Sequence, residues 1–369
     1  MNTEKKRRLT GLKPTGKLHI GNYFGALKPF LDTYEDYNSF LMVADYHALT
    51  TQRNPEELSS DIIDIVKSYL AAGLDPEKAV LFRQSDNQDH MELAWVFNCM
   101  VTVPFLQQAH AYKDKVAKGQ EANAGLFTYP MLMASDIVLY DVDLVPVGED
   151  QRQHLEYTRE VVGKFNRTFG ETLKEPTEQI IPSLGIVPGT DGAKMSKSYG
   201  NTIPLFGTQE EIEKAVMGIV TDSEGDRPEH VYAIHRLLKS EAELEPVYEA
   251  LKGRYGDLKK LLAADLESFI APMREKRDKI SDDDVKAVKS GRHVKHGGID
   301  AVAEAECRVA VFIGLDDCEG DGERDGEREA LQHMAAVVFP DRVVGPGHGH
   351  ARRQQDQRVQ ERQVPDHRG

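Results

Sequence analysis

Cysteine is scarce in this chain, at three residues in 369. Cys99, Cys307 and Cys318 show no CxxC spacing and form no metal quartet, which argues against a structural zinc or a disulfide framework and fits a reducing compartment. Long apolar runs are missing as well: none approaches the roughly 20 residues of a membrane span. The basic start Lys5-Lys6-Arg7-Arg8 leads into Leu9-Thr10-Gly11-Leu12-Lys13-Pro14, which is no signal-peptide core. A cytoplasmic chain with no membrane partner is expected. Positive charge is also in deficit, with 46 Lys and Arg against 61 Asp and Glu and a net charge of −15. That disfavours DNA binding over the whole surface and leaves room for a local basic face that meets one RNA. What remains is ordinary globular material, 40% hydrophobic and 29% charged, long enough for two or three domains.

Strand-like and helix-like segments alternate early on. Leu9–Lys13, Ser39–Asp45 and Ala79–Arg83 read as strands, and Pro55–Ala72 has helical apolar spacing. A mostly helical stretch over Met91–Tyr140 precedes another strand-like run, Asp143–Val147, and then a helix over Arg152–Phe165. This order predicts an α/β fold, a doubly wound parallel sheet with ligands at the carboxyl ends of its strands. His19, Asp45 and Gln84 fall at or just after such ends. From Thr208 to about Val285 the period is helical, as in a small bundle. The expected domains are 1–205 with a helical insertion at about 90–140, a helical unit over 206–288, and an atypical tail over 289–369.

Two short motifs carry chemistry. In Lys13-Pro14-Thr15-Gly16-Lys17-Leu18-His19-Ile20-Gly21-Asn22, glycines sit at a strand-to-helix turn, where backbone can approach a ligand and a helix start offers N–H groups to phosphate. His19 is placed to hydrogen-bond a phosphate oxygen; a plain Gly-rich turn with a surface histidine is the alternative. In Lys194-Met195-Ser196-Lys197-Ser198, two lysines can neutralise a leaving pyrophosphate from a turn-rich loop able to close as a lid. Without the first motif this would read as a solvated basic loop. Gly148-Glu149-Asp150-Gln151 ends a strand and suits ribose hydroxyls and an ammonium, or else forms a helix cap. Tyr129, Met133 and Asp136 share a helix face; a carboxylate in an apolar wall needs a donor that a ligand N–H could supply, unless Asp136 is simply exposed. His47, just past a strand end, reads on its own as a satisfied core or loop histidine.

At these residues the chain resembles the bacterial tryptophanyl-tRNA synthetases, class I aminoacyl-tRNA synthetases, from about Leu9 to Asp284. The most discriminating stretch is Val145-Pro146-Val147-Gly148-Glu149-Asp150-Gln151-Arg152-Gln153-His154-Leu155-Glu156, supported by Tyr129–Tyr140 and Gly192–Ser198. The resemblance implies a Rossmann catalytic domain with a helical anticodon-binding domain, in a homodimer. It implies activation of L-tryptophan by ATP with Mg²⁺, followed by transfer to tRNA(Trp). Catalysis would rest on His19, Lys194 and Lys197. ATP would contact Lys13, Pro14, Thr15, Gly21, Asn22, Gly148, Glu149, Asp150, a backbone group near Ile186, and Lys194, Met195, Ser196, Lys197 and Ser198. Asp136 would take the indole N–H, Tyr129 and Gln151 the amino group, and Met133, Val145, Val147 and His47 would line the pocket. No resident metal ligand is expected. Lys13 stands where many relatives carry Gln, and His19 where they carry Thr. Two other readings compete: tyrosine activation on the same fold, and a synthetase-like protein that binds without charging tRNA.

After His296 there is no Lys, Ser, Thr, Asn, Tyr or Trp, yet there are nine Arg and four His. Such a bias fits a solvated disordered tail, or a slip of reading frame near Val288–Lys295, which is the reading favoured here. Relatives continue past the Asp283-Asp284-Val285 segment with an amphipathic helix instead. Resequencing the locus should reveal the slip, with the native protein differing in mass from 41.3 kDa; one intact frame and that mass would contradict it.

Overall fold

A computed structural model describes residues 5–119, 121–147, 152–180, 187–221 and 227–289. At its centre lies β1 (Arg7–Leu12), pairing in parallel with β2 (Asn38–Val43) on one side and β4 (Leu144–Val147) on the other. β3 (Val80–Arg83) extends the sheet beyond β2, and β5 (Thr177–Ile180) extends it beyond β4. The strand order is therefore 3-2-1-4-5 with every pairing parallel. Chain direction across the sheet reverses between β1 and β4, and the crevice at the carboxyl ends of those two strands is where such sheets bind ligands.

The doubly wound parallel sheet expected from the alternation is present. β2 is buried along nearly its whole length, as a strand covered by helices on both faces must be. Arg8, part of the basic start, is a core residue of β1. Its guanidinium lies 5.0 Å from the Phe30 ring centroid and 4.5 Å from that of Tyr37, and donates to Thr33 Oγ1 at 2.8 Å. Ring faces and a hydroxyl replace the water that this cation gives up.

Helices Asp89–Met100, Val103–Leu106, His110–Ala117 and Ala124–Val138 make up the helical stretch between β3 and β4. Asn54 caps the Pro55–Ala71 helix, its side chain accepting from the Glu56 and Glu57 amides, with proline in the first turn where no N–H is needed. After the sheet, helices Gln209–Met217, Glu229–His235, Glu241–Ala250, Tyr255–Lys279 and Asp282–Lys289 follow. Thr208 with Glu211, and Ser240 with Glu243, form capping boxes that start two of them.

One apolar core runs from the sheet into these helices. It joins Ile20, Phe24, Leu41, Val43 and Val66 to Ile203, Leu205, Leu262, Leu266 and Ile270. Phe24 stacks on Phe269 with centroids 5.5 Å apart. The Tyr255–Lys279 helix thus buttresses the turn that follows β1. The tail expected over 289–369 lies, from residue 290 on, outside the described residues.

Candidate active site

β1 ends at Leu12, and the chain turns through Pro14, Thr15 and Gly16 before the helix that begins at Ile20. Gly16 has φ +74°, a left-handed conformation that any side chain would strain. Asp61, on the Pro55–Ala71 helix, accepts a hydrogen bond from the Gly16 backbone, fixing the turn from outside. A cleft of about 460 Å³ opens here, with Pro14, Thr15, Gly16, Ser60 and Asp61 among its walls.

His19 caps the helix that follows. Its Nδ1 accepts the Asn22 amide at 3.3 Å, while the Asn22 side chain accepts the His19 amide at 3.1 Å. With Nδ1 an acceptor, the ring proton sits on Nε2, leaving an N–H donor for a phosphate oxygen. Desolvation, reinforced by the positive charge of Lys197, lowers the His19 pKa to about 4, so the ring is neutral at neutral pH. Gly21 makes this cap possible. A Cβ there would stand 2.8 Å from His19 Nδ1 and 3.2 Å from Met195 Cβ.

Met195 belongs to the second motif, so the two meet at Gly21. They are laced by backbone: Ile20 donates to the Ile203 carbonyl at 3.0 Å, and Leu205 donates to the Leu18 carbonyl at 3.0 Å. Lys197 then reaches across. Its Nζ donates to the Gly16 carbonyl at 2.9 Å and to the Thr15 carbonyl. Resting on these carbonyls, Lys197 brings a positive charge to the turn beside His19.

The segment expected as a mobile loop is a built hairpin in this structure. Met195 donates to the Val187 carbonyl at 2.9 Å, and Gly192 closes the turn at φ +83°. Its hub is Asn201, 2% exposed, a residue sequence reasoning passed over. The Asn201 side chain donates to Asp191 Oδ1 at 2.7 Å and to the Lys194 carbonyl at 3.1 Å, and accepts from the Ser196 amide at 2.8 Å. One amide beside Gly200 is a weak sequence signal. Lys194 and Ser198 are exposed, with Ser198 Oγ 2.9 Å from Ser196 Oγ. Lys13, directly after β1, has its amine lowered by desolvation although much of the side chain is open to solvent.

A second cluster lies beyond the carboxyl ends of β2 and β3, against the Ala124–Val138 helix. Asp136 there is 2% exposed, so it is not a surface aspartate. The donors that such a carboxylate needs are supplied in the first place by the protein. His47 Nε2 donates to Oδ2 at 2.8 Å; Gln84 Nε2 and His90 Nδ1 both donate to Oδ1 at 2.7 Å. Desolvation opposes ionisation, but the hydrogen bonds from the two histidines prevail and hold the carboxyl down at about 2.

His47 is the satisfied buried histidine expected from its position, and its ring also meets Tyr129 edge-on, 6.3 Å between centroids. The Tyr129 hydroxyl is hydrogen-bonded to His154 Nε2, and desolvation raises its pKa to about 12. Met133 shares the Tyr129–Asp136 helix, half-buried. Val145 and Val147 are both buried, two residues apart on one face of β4. His90 and His154 were not anticipated as part of this site; His90 carries no motif, and His154 lies in the Val145–Glu156 stretch with no role assigned to it. Gly148, Glu149, Asp150, Gln151 and Ile186 lie outside the described residues. Among the described residues, no three His, Cys, Asp or Glu side chains converge as a metal site would require. Likewise, no helix among them is long and apolar enough to cross a membrane.

Comparison with known proteins follows the same boundaries. The family model for class I tRNA synthetases (W and Y) matches residues 1–284. A tryptophan–tRNA ligase of Fusobacterium nucleatum is 45% identical over 284 residues, covering 74% of this chain and 87% of that protein. One from Rhodopirellula baltica is 45% identical over 286 residues, 75% of this chain and 89% of that protein. Among solved structures, the Campylobacter jejuni tryptophanyl-tRNA synthetase complexed with ADP and tryptophan aligns with TM-score 0.70 and 34% identity, over 90% of this chain and 98% of that one.

Replacing Gly21 with alanine should push the His19 ring and Met195 apart. The expected result is a rise of about tenfold or more in KM for the nucleotide, with some loss of melting temperature because Met195 also belongs to the core. Steady-state kinetics with a thermal melt checks this, and unchanged kinetics would detach Gly21 from the site.

A turn after β1, a second motif folded onto it, and alignment along three-quarters of the length converge on one assignment: the chain belongs to the class I tRNA synthetases for tryptophan and tyrosine, on the tryptophanyl side of that family.

Proposed function

We propose that this protein activates L-tryptophan with ATP and transfers it to tRNA(Trp). The observation that carries the nucleotide half is Lys197 seated on the Thr15 and Gly16 carbonyls, beside the neutral donor His19. In the first step a carboxylate oxygen of tryptophan attacks the α-phosphorus of ATP, and pyrophosphate leaves. His19 Nε2–H donates to a phosphate oxygen, while Lys194 and Lys197 offset the charge that builds on the leaving group. In the second step a ribose hydroxyl at the 3′ end of the tRNA attacks the activated carbonyl, and AMP leaves. No enzyme nucleophile is required; positioning and charge stabilisation supply the rate.

Asp136 reads the amino acid. As a buried, permanently ionised acceptor it favours a side chain with an N–H and is left short of a partner by phenylalanine, a mismatch able to reject the wrong substrate by about 10⁴. Tyr129 and Gln151 hold the amino group, with Met133, His47, Val145 and Val147 forming the walls. Lys13, Pro14, Thr15, Gly21, Asn22, Gly148, Glu149, Asp150, the Ile186 backbone and Lys194–Ser198 form the ATP site. Mg²⁺ would enter with the ATP substrate rather than as a resident ion.

The helices after residue 206 meet the anticodon, and the protein works in the cytoplasm. It works as a homodimer, a reading supported by the exposed apolar side chains Met91, Trp95 and Val103, which a monomer would leave in water.

Pyrophosphate exchange dependent on the amino acid tests the reading on the full chain. Exchange is expected with tryptophan and not with tyrosine. Exchange with tyrosine would move the assignment to the other branch of the family, and exchange with neither would favour a binding protein.

A further inference from the structure

The Asp136 carboxylate has about four acceptor positions, two on each oxygen, and their occupancy is uneven. Oδ1 takes two donors, Gln84 Nε2 and His90 Nδ1, each at 2.7 Å, and is full. Among the described residues, Oδ2 takes only His47 Nε2, at 2.8 Å, and retains one position. The two residues on Oδ1 are completely buried, whereas His47 is in ring contact with Tyr129 on the side of the proposed amino-acid pocket.

Both Oδ1 donors are themselves held. The Gln84 amide cannot flip without loss, because its Oε1 accepts the Tyr46 backbone N–H at 3.1 Å, which turns Nε2 towards Asp136. His90 Nε2 lies 2.8 Å from the Tyr140 hydroxyl. A neutral ring with its proton on Nδ1 satisfies both contacts, since the hydroxyl can donate into Nε2. The Ser135 hydroxyl donates to the His90 carbonyl at 2.8 Å, tying that helix to the one that bears Asp136. The ring is packed between Phe82, 6.3 Å away, and Tyr140, 5.5 Å away. Neither Gln84 nor His90 has any other evident task, and a buried imidazole and a buried amide are costly merely to fill space.

We propose that Gln84 and His90 are specificity-positioning residues: by saturating Oδ1 they leave Asp136 a single acceptor position, on Oδ2, which only an amino acid with a ring N–H can fill. This rests on the reading of Asp136 as the indole acceptor and deepens it. Removing either donor gives the carboxylate freedom to rotate and a second open position. Discrimination by the N–H then weakens, while the nucleotide half of the site, built on other elements, is untouched.

The test compares tryptophan with an analogue carrying sulfur in place of the ring N–H, using pyrophosphate exchange on the full chain. The wild type should prefer tryptophan in kcat/KM. His90→Leu should lower kcat/KM for tryptophan about tenfold or more, through KM, and lower that for the sulfur analogue far less. The preference therefore shrinks, with KM for ATP constant. His90→Asn, which keeps an N–H near the place of Nδ1, should restore most of the preference, a recovery that a purely structural role would not predict. If His90→Leu fails to fold, Gln84→Leu gives the same reading from the other donor. A preference unchanged in whichever of these two variants folds overturns the proposal while leaving the Asp136 reading intact. A wild type that uses both amino acids equally overturns the reading of Asp136, and the proposal with it.

Discussion

The geometry of the site depends on a short piece of backbone pairing. Residues 18–20, just after the turn that ends β1, exchange hydrogen bonds with residues 203–205, just after the lysine motif. Nearly the whole sheet lies between these segments in sequence. Bringing them side by side lets Lys197 reach the Thr15 and Gly16 carbonyls, and it sets Met195 against the only kind of residue, glycine, that leaves room for His19 to fold over its own helix. The apolar core beneath them, from Ile20 and Phe24 to Leu266 and Ile270, keeps this register from slipping. The electrostatics follow from that packing. His19 is neutral because it is desolvated beside a lysine, and being neutral with Nδ1 occupied it presents one donor in a known direction.

The Asp136 cluster obeys a different logic. A carboxylate taken out of water survives ionised only if donors replace the water, and here three do. The donors come from the carboxyl ends of β2 and β3 and from the helix after β3, so the sheet edge itself orients the acceptor. The lysine–histidine turn after β1 and the Asp136 cluster beyond β2 and β3 are thus separate constructions on one sheet.

Much of this was legible in the sequence. Four strands and the long helices follow from apolar period, because β1 to β4 are buried enough to read as apolar runs. β5 did not, since Thr177-Glu178-Gln179-Ile180 is half polar, as an edge strand can be. Nothing in the sequence marks Arg8 as a core residue, because a guanidinium held between two rings looks there like its basic neighbours. The two motifs were visible as spacing and expected to converge, but the hydrogen bonds that join them were not, nor was Asn201 as the hub of the hairpin. Asp136 was found by its apolar neighbours and His47 as part of its pocket, while His90 was not: it bears no motif, and only folding brings it within 2.7 Å. Sequence patterns report local periodicity and backbone needs; a hydrogen-bond shell gathered from separate elements leaves no such trace.

The measurement closest to the central claim is a crystal structure with a non-hydrolysable ATP analogue. Both His19 Nε2 and Lys197 Nζ should lie within hydrogen-bond distance of phosphate oxygens of the one bound nucleotide, above the Gly16 turn. Phosphates bound elsewhere, or touching one of these groups with the other turned away, would contradict the account.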